Sequence, residues 1–371
     1  MAGSRENRLG EVVDRFYEAA LRPELWRTAL HAYSEALGAE GALILPGPRA
    51  AVAPACSEGL DAVVSRGVDE GWFADNPRVT RGIPALKDTR GVLVESQIFT
   101  PRELDHLPFN ADFVARSGFR WFAGIYLVAS GQDSVMLSVE RKPGQEPFSH
   151  REIAQIGRML PHFQRAGEVA LRLAETRASS ILEAFELMRC GGLLLDGTGR
   201  VVGQNGRARA MGGRTLRVVQ GTLVAHPAAT NAALGRLIGS VIGRGPAHAA
   251  PAAPPVAVPR EGGPPLVVHA APLVASGQEP FRRARAVLLI RDPAEAGEVG
   301  DALLRQAFGL TAAEARLANA LARGRDLAEV AAAGGTTVAT LRSQLKAVFA
   351  KTGTHRQAEL VALLVRMALP A

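Results

Sequence analysis

LTAAEARLANALARGRDLAEVAAAGGTTVATLRSQLKAVFAKTGTHRQAELVALLVRM, residues 310–367, is the stretch from which the fold of the C-terminal part follows. Thr311 and Glu314 stand at capping-box spacing. The threonine hydroxyl can accept from the backbone N–H three residues on, and the glutamate can reach back to the threonine N–H. Leu310 and Ala315 bracket the cap, and Leu317 and Leu321 continue an apolar stripe. Gly324 fits a stop, because glycine takes the left-handed conformation cheaply. A second helix is predicted over 327–333, with Leu327, Val330 and Ala331 on one face and Gly334–Gly335 breaking it. Thr337 is the expected N-cap of a third helix over 338–351, apolar at Leu341, Leu345, Val348 and Phe349. Gly353 ends it, and a fourth helix over 357–368 is apolar at Leu360, Val361, Leu363, Leu364 and Met367.

Charge decides which face meets what. Between Thr340 and Arg356 the charged groups are Arg342, Lys346, Lys351 and Arg356, with no Asp or Glu. A basic helix alone is often only a solvated face. A short second helix, a glycine turn and a polar third helix together make the layout of a helix-turn-helix, whose second member enters a DNA groove.

The segment from Leu310 to Met367 resembles the LuxR-type helix-turn-helix family. The matches are the Thr311–Glu314 cap, Gly324, the Glu329-Val330-Ala331 triplet, Gly335, Thr337, the Thr340-Leu341 pair, Lys351, Gly353 and Ala358. The resemblance implies that Arg342, Ser343 and Lys346 read bases while Thr340, Gln344 and Lys351 approach phosphates. The chain departs at Gly334, where the family usually has Leu. That departure implies a missing apolar anchor, so Leu at 334 is expected to stabilise the unit.

A chain of 371 residues exceeds one ordinary domain. The formal charge of +7 favours polyanionic partners, but all but four of the 43 basic residues are arginine, and they are spread along the chain. Arginine-rich, Ala- and Gly-rich composition therefore accounts for much of the basic character. Cys56 and Cys190 are far apart and show no metal spacing, which points to a reducing compartment. No apolar run reaches the roughly 18 residues that span a membrane, and MAGSRENRLGEVVDRF lacks a signal core. A soluble, cytoplasmic protein is expected.

Before residue 300 the pattern alternates. Leu9, Val12, Val13, Phe16 and Ala20 form one helical stripe, and Leu25, Trp26, Leu30 and Tyr33 another. Strands are predicted at 41–45, 122–128 and 134–139, the last two split by turn residues 130–133. Ser149 and Glu152 form a second capping box, opening a helix over 151–160. Helices beside an antiparallel sheet indicate α+β. ALRPELWRTAL and PFSHREIAQIGRMLPHF resemble the GAF/PAS-like sensory domains that precede LuxR-type units. After Pro161, residues 163–188 read as a connecting helix with a broken seam at Phe163, Ala166, Ala170, Leu173, Ile181, Phe185 and Met188. It either pairs between subunits or packs on its own domain. GGLLLDGTGRVVGQN and LRVVQGTLVA each read as a hairpin, a helix follows over 227–242, and strands over 266–274 and 284–291 close a second sheet. The Pro- and Ala-rich stretch between reads as a long loop. The strand, turn and strand ending at Asn205 resemble a PAS opening. The implied fold class is thus α+β sensory domains (GAF/PAS-like), over 1–162 and 182–293, joined by the 163–188 helix. An all-α four-helix LuxR-type domain over 300–371 follows them.

Catalytic patterns are missing from the sequence: no G-x-x-x-x-G-K-[ST], H-E-x-x-H or G-x-S-x-G. The eight histidines are scattered, no metal site is implied, and no cofactor can be named. The first strand ends in Pro46 and Gly47 rather than an acidic pair, which argues against a phosphorelay receiver. Trp72, Phe73, Trp121, Phe122 and Tyr126 are the candidate lining of a small-molecule pocket. Aromatics also fill cores, and core is the simpler reading of them. GWFADNPRV resembles the Asp-Pro stretch of acyl-homoserine-lactone receptors, but it reads Asn76-Pro77 here and that ligand is not assigned. The expectation is a non-enzymatic transcriptional regulator that binds double-stranded DNA as a homodimer, paired through Leu360, Leu363 and Leu364. The alternative is a ligand-binding sensor acting through protein partners.

Overall fold

Both strand-rich regions form antiparallel sheets. The computed structural model describes residues 2–46, 54–74, 76–85, 91–128, 134–242, 253–273, 279–294 and 299–368. The first unit opens with α1 (Ala2–Leu21) and α2 (Trp26–Ala36), joined by a 3-10 turn at Pro23–Leu25. Then come β1 (Gly41–Pro46), β2 (Ala55–Cys56), α3 (Asp61–Asp69), α4 (Pro77–Ala85), β3 (Val92–Val94), α5 (Glu95–Ile98) and α6 (Pro101–His106). A π-helical turn, Phe109–Val114, leads to β4 (Trp121–Val128) and β5 (Val135–Arg141). The strand order is β2-β1-β5-β4-β3. The expected turn at 130–133 lies outside the described residues.

One face of this sheet buries Ala42, Ile44, Ala123, Ile125, Leu127 and Leu137 with α1, α2 and the helix that follows β5. The other face buries Leu43, Leu45, Phe122, Tyr126 and Met136 among the short helices α3–α6 and the π turn.

That following helix is α7 (His150–Leu187), 38 residues without a break. Ser149 caps it as expected: its hydroxyl accepts from Glu152 N–H, and Glu152 returns to Ser149 N–H at 3.0 Å. Pro161 sits inside it, so the two separate helices expected on either side of Pro161 are one. An interior proline removes a backbone hydrogen bond at a cost of about 3 kcal/mol. Ile156 and Phe163 on either side are fully buried, and each stabilises by roughly 1.5–3 kcal/mol, which is enough to hold the helix through. Gly167 is a packing residue. A Cβ there would meet the Leu127 Cβ at 3.1 Å and its carbonyl oxygen at 3.2 Å, so glycine lets α7 settle onto β4.

The second unit holds β6 (Gly191–Leu195), β7 (Val201–Gln204), α8 (Gly206–Met211), β8 (Leu216–Val219), β9 (Thr222–Ala225) and α9 (Ala228–Ile242). β10 (Val256–Val258), β11 (Leu266–Pro272) and β12 (Ala286–Arg291) complete it. Its sheet order is β10-β11-β12-β6-β7, with β8-β9 a separate hairpin. The Asp196 carboxylate accepts from Thr198 N–H at 2.8 Å and Arg200 N–H at 3.0 Å, forming the β6–β7 turn. Gln220 and Gly221 both have positive φ, as the second hairpin turn requires. The stretch read as a loop contains β10, an edge strand whose Val256 and Val258 are buried. Residues 243–252 of it lie outside the described residues.

The C-terminal unit comprises α10 (Asp301–Phe308), α11 (Ala312–Ala322), α12 (Leu327–Gly334), α13 (Val338–Thr352) and α14 (Gln357–Ala368). The expected four helices are joined by a fifth, α10, whose Leu304 enters the common core. Asn319 ties it in, donating to the Val299 carbonyl and to Asp301, both at 2.7 Å.

Candidate nucleic-acid interface

The helix pair α12–α13 is defined by its caps. Asp326 accepts from Glu329 N–H at 2.8 Å, and Glu329 returns to Asp326 N–H at 3.0 Å. Gly335 has φ of +60° and closes α12, while Thr336 N–H reaches the Ala331 carbonyl at 3.2 Å. Thr337 then caps α13, accepting from Thr340 N–H at 3.1 Å. Gly334 is the last helical residue of α12 and is exposed. A Cβ there would meet only Thr336 Cγ2, at 3.9 Å. There is no slot for a leucine, and the expected missing anchor is corrected: position 334 faces water.

α13 buries Leu341, Leu345 and Val348 in the core it shares with α11 and α12. Its outer face shows Ala339, Arg342, Ser343 and Lys346, all exposed and at the three- and four-residue spacings that share one helix face. Thr340 is exposed and its hydroxyl lies 2.9 Å from the Thr337 hydroxyl, while Gln344 is half-buried. The acids of this unit's last four helices are all occupied at helix starts. Glu314 caps α11, Asp326 and Glu329 cap α12, and Glu359 accepts from His355 N–H at 2.8 Å. Among the described residues, Arg342 and Lys346 have no acidic partner, so α13 presents an unopposed positive face.

Lys351 does not belong to that face. Its ammonium lies 2.6 Å from Glu314 Oε2, pinning the end of α13 to the start of α11. That bond, first, and the Thr311 N–H hold the Glu314 carboxyl below its usual range. The expectation of Lys351 on phosphate meets a side chain already engaged. α14 brings a second correction. Leu360 and Leu364 are 0% and 1% exposed inside their own core, and only Leu363 of the three expected pairing leucines is half-buried.

The candidate ligand residues separate across the first sheet. Phe122 and Tyr126 are buried on the α3–α6 side, where Trp72 and Phe73 pack on Phe113 with ring centroids 5.9 and 5.6 Å away. Trp121 points to the other face by strand alternation, and its indole donates to the Gln145 carbonyl at 2.8 Å. Among the described residues the rings on the α3–α6 side pack in the core, and a cavity of about 20 Å³ lies beside Arg78, Glu95 and Asn110.

Sequence reading missed the ionic pair inside that core. Arg78 donates to Glu140 at 2.7 Å, Ser138 donates to the same oxygen at 2.6 Å, and the guanidinium stacks over Phe122 at 4.2 Å. Glu95 accepts from Phe122 N–H at 3.3 Å, and burial pushes its carboxyl up. The available signal was VMLSVER, a strand whose inward positions turn polar at Ser138 and Glu140.

The seam of α7 is taken within the chain. Phe163, Ala166 and Ala170 lie on the first sheet, and Ile181, Leu182 and Phe185 lie on Leu194 and Val287 of the second. Among the described residues, no helix is long and apolar enough to cross a membrane.

No protein-family model matches the chain, and no curated protein matches it. Solved structures show weak likenesses. One is an N-acylhomoserine lactone dependent LuxR family transcription factor, CepR2, from Burkholderia cenocepacia. It has 15% identity and a TM-score of 0.33 over 44% of this chain and 96% of that one. The VqsR LBD domain from Pseudomonas aeruginosa has 18% identity and a TM-score of 0.32 over 46% and 98%. SdiA from Escherichia coli has 10% identity and a TM-score of 0.31 over 97% and 96%. At such scores none of these likenesses bears on the fold or function of this chain.

Proposed function

We propose that this chain is a cytoplasmic, non-enzymatic transcriptional regulator that binds double-stranded DNA through α13. Its two N-terminal α+β units act as GAF/PAS-like sensory domains that adjust that binding. The carrying observation is the outer face of α13, where Arg342, Ser343 and Lys346 stand exposed while the unit's acids sit at helix caps. Arg342 and Lys346 suit guanine edges in the major groove. Thr340 and Gln344 flank them toward the phosphates, and the exposed Arg356 takes the phosphate role first expected of Lys351. Lys351 positions α13 through Glu314. Two copies bind together, using the outer side of α14 where Val365 is 38% exposed beside Leu363. The shared strand order of the two sheets supports the sensory reading.

Binding-site selection with the full chain tests this. Arg342→Ala should weaken specific binding by about 1–3 kcal/mol and relax preference at one base position. Arg356→Ala should weaken all sequences alike and lower the salt slope by about one. An unchanged sequence preference in Arg342→Ala would sink the assignment.

A further inference from the structure

Between the two sheets lies a cleft of about 610 Å³, a volume typical of small-molecule sites. It exists because α7 shows it Ala170, Ala174 and Ala178, small residues at four-residue spacing. Its inner end is aromatic. Trp26 of the first unit, 1% exposed, meets Phe281 of the second with ring centroids 5.2 Å apart.

The next two residues after Phe281 carry charge into the same wall. Arg282 and Arg283 line the cleft, as does Arg177 of α7, against Glu175 and Glu279. Arg282 lies 3.0 Å from Glu279 and donates to the Leu273 carbonyl at 2.6 Å. Arg285, just behind, has a buried guanidinium nitrogen with no acceptor among the described residues. Burial disfavours both the Arg282 and Arg285 cations, and at Arg285 the charge of Arg282 adds to the effect. Among the described residues that line the cleft, three guanidiniums, of Arg177, Arg282 and Arg283, stand with two carboxylates, of Glu175 and Glu279, and an anion brought to this wall offsets the excess charge.

We propose that the cleft binds a small amphiphile with one anionic head, a long-chain carboxylate. The head lies at Arg282 and Arg283 and the chain runs along Ala178 and Ala174 toward Trp26. Such a ligand bridges the two units at the segment where Phe281 enters the core of the first. This deepens the regulatory reading above and rests on it only for the consequence at DNA.

The test uses the full chain with dodecanoate as probe, read by calorimetry. Trp26 emission is the second readout, in a Trp72→Phe, Trp121→Phe background. Saturable one-to-one binding with a shift in Trp26 emission is expected, with dodecanol and dodecyltrimethylammonium at least about tenfold weaker. Arg283→Ala should weaken dodecanoate at least about tenfold. Ala178→Phe and Ala174→Leu, each checked for folding by circular dichroism, should abolish or strongly weaken it. Equal affinity for dodecanol, or wild-type affinity in both folded cavity-filling variants, would overturn the site. Dodecanoate binding by a chain that binds no duplex upholds the cleft and overturns the DNA reading; duplex binding without dodecanoate binding does the reverse.

Discussion

The first sheet and the second follow the same strand order, β2-β1-β5-β4-β3 and β7-β6-β12-β11-β10, and both lie against α7, yet they meet it differently. Against the first, α7 turns Met159 and Phe163 inward and closes onto β4 at Gly167, with α1 and α2 alongside. Against the second it turns Ala174 and Ala178 toward the gap, and a cleft of about 610 Å³ remains. Strand order fixes which residues face α7. The volume of those residues decides whether the face becomes core or stays open.

The largest expected effect lies in the first unit. Arg78→Ala strands Glu140, whose side chain is 1% exposed, and should cost about 3–5 kcal/mol in denaturant unfolding. Arg78→Met combined with Glu140→Gln should recover most of it. A loss under about 1 kcal/mol would mean water reaches that core, and the contrast between the units would fail. Next, the same truncation should distinguish the two α7 contacts. Leu127 and Leu194 are both 1% exposed, but Leu194 also lines the cleft. Leu127→Ala opens a sealed cavity and should cost about 4–5 kcal/mol, while Leu194→Ala should cost about 2–3 kcal/mol. Equal losses would mean the cleft is closed in solution.

Acid should separate the units further. Burial opposes ionisation of Glu152, but Arg141 and the Ser149 cap hold its carboxyl at about 2. Folding therefore depresses this pKa. The stabilisation is complete above the ordinary value near 4.5 and is lost as pH falls toward about 2. Allowing for solvent screening, it amounts to about 1–2 kcal/mol. Glu152→Gln should flatten the acid limb of the first unit's unfolding curve, and an unchanged limb would remove Arg141–Glu152 from the account. The smallest effect belongs to the C-terminal unit, which serves as the control. Gly334→Ala should raise its thermal midpoint by the equivalent of about 0.5–1 kcal/mol. Gly335→Ala, at φ of +60°, should lower it by roughly 1 kcal/mol.

Local chemistry was the legible part of the sequence. The Thr311–Glu314 and Ser149–Glu152 boxes form with the expected partners, and the two expected hairpins of the second unit form. Each depends on atoms within a few residues of one another. What depends on distant atoms was not legible. Pro161 reads as a boundary until the burial of Ile156 and Phe163 is known. Lys351 reads as a free cation until the fold brings Glu314 beside it, 37 positions away. Leu360 and Leu364 carry the same pattern whether they serve a core or a dimer, and only packing distinguishes the two. Trp121 groups with Phe122 and Tyr126 by proximity in sequence, although a pleated strand sends neighbours to opposite faces. β10 was hidden because three residues amid prolines give too short an alternation to count.

α7 also has a mechanical meaning. At 1.5 Å per residue its 38 residues make a rod roughly 57 Å long. Its N-terminal half is bedded in the first sheet, and its C-terminal half carries Ile181, Leu182 and Phe185 on the second. A tilt of about 10° at Gly167 displaces the far end, roughly 30 Å on, by roughly 5 Å, close to the spacing of adjacent strands. The rod is a lever whose long arm ends at β6, so motion too slight to notice beside Gly167 becomes a step of strand size beneath the second sheet.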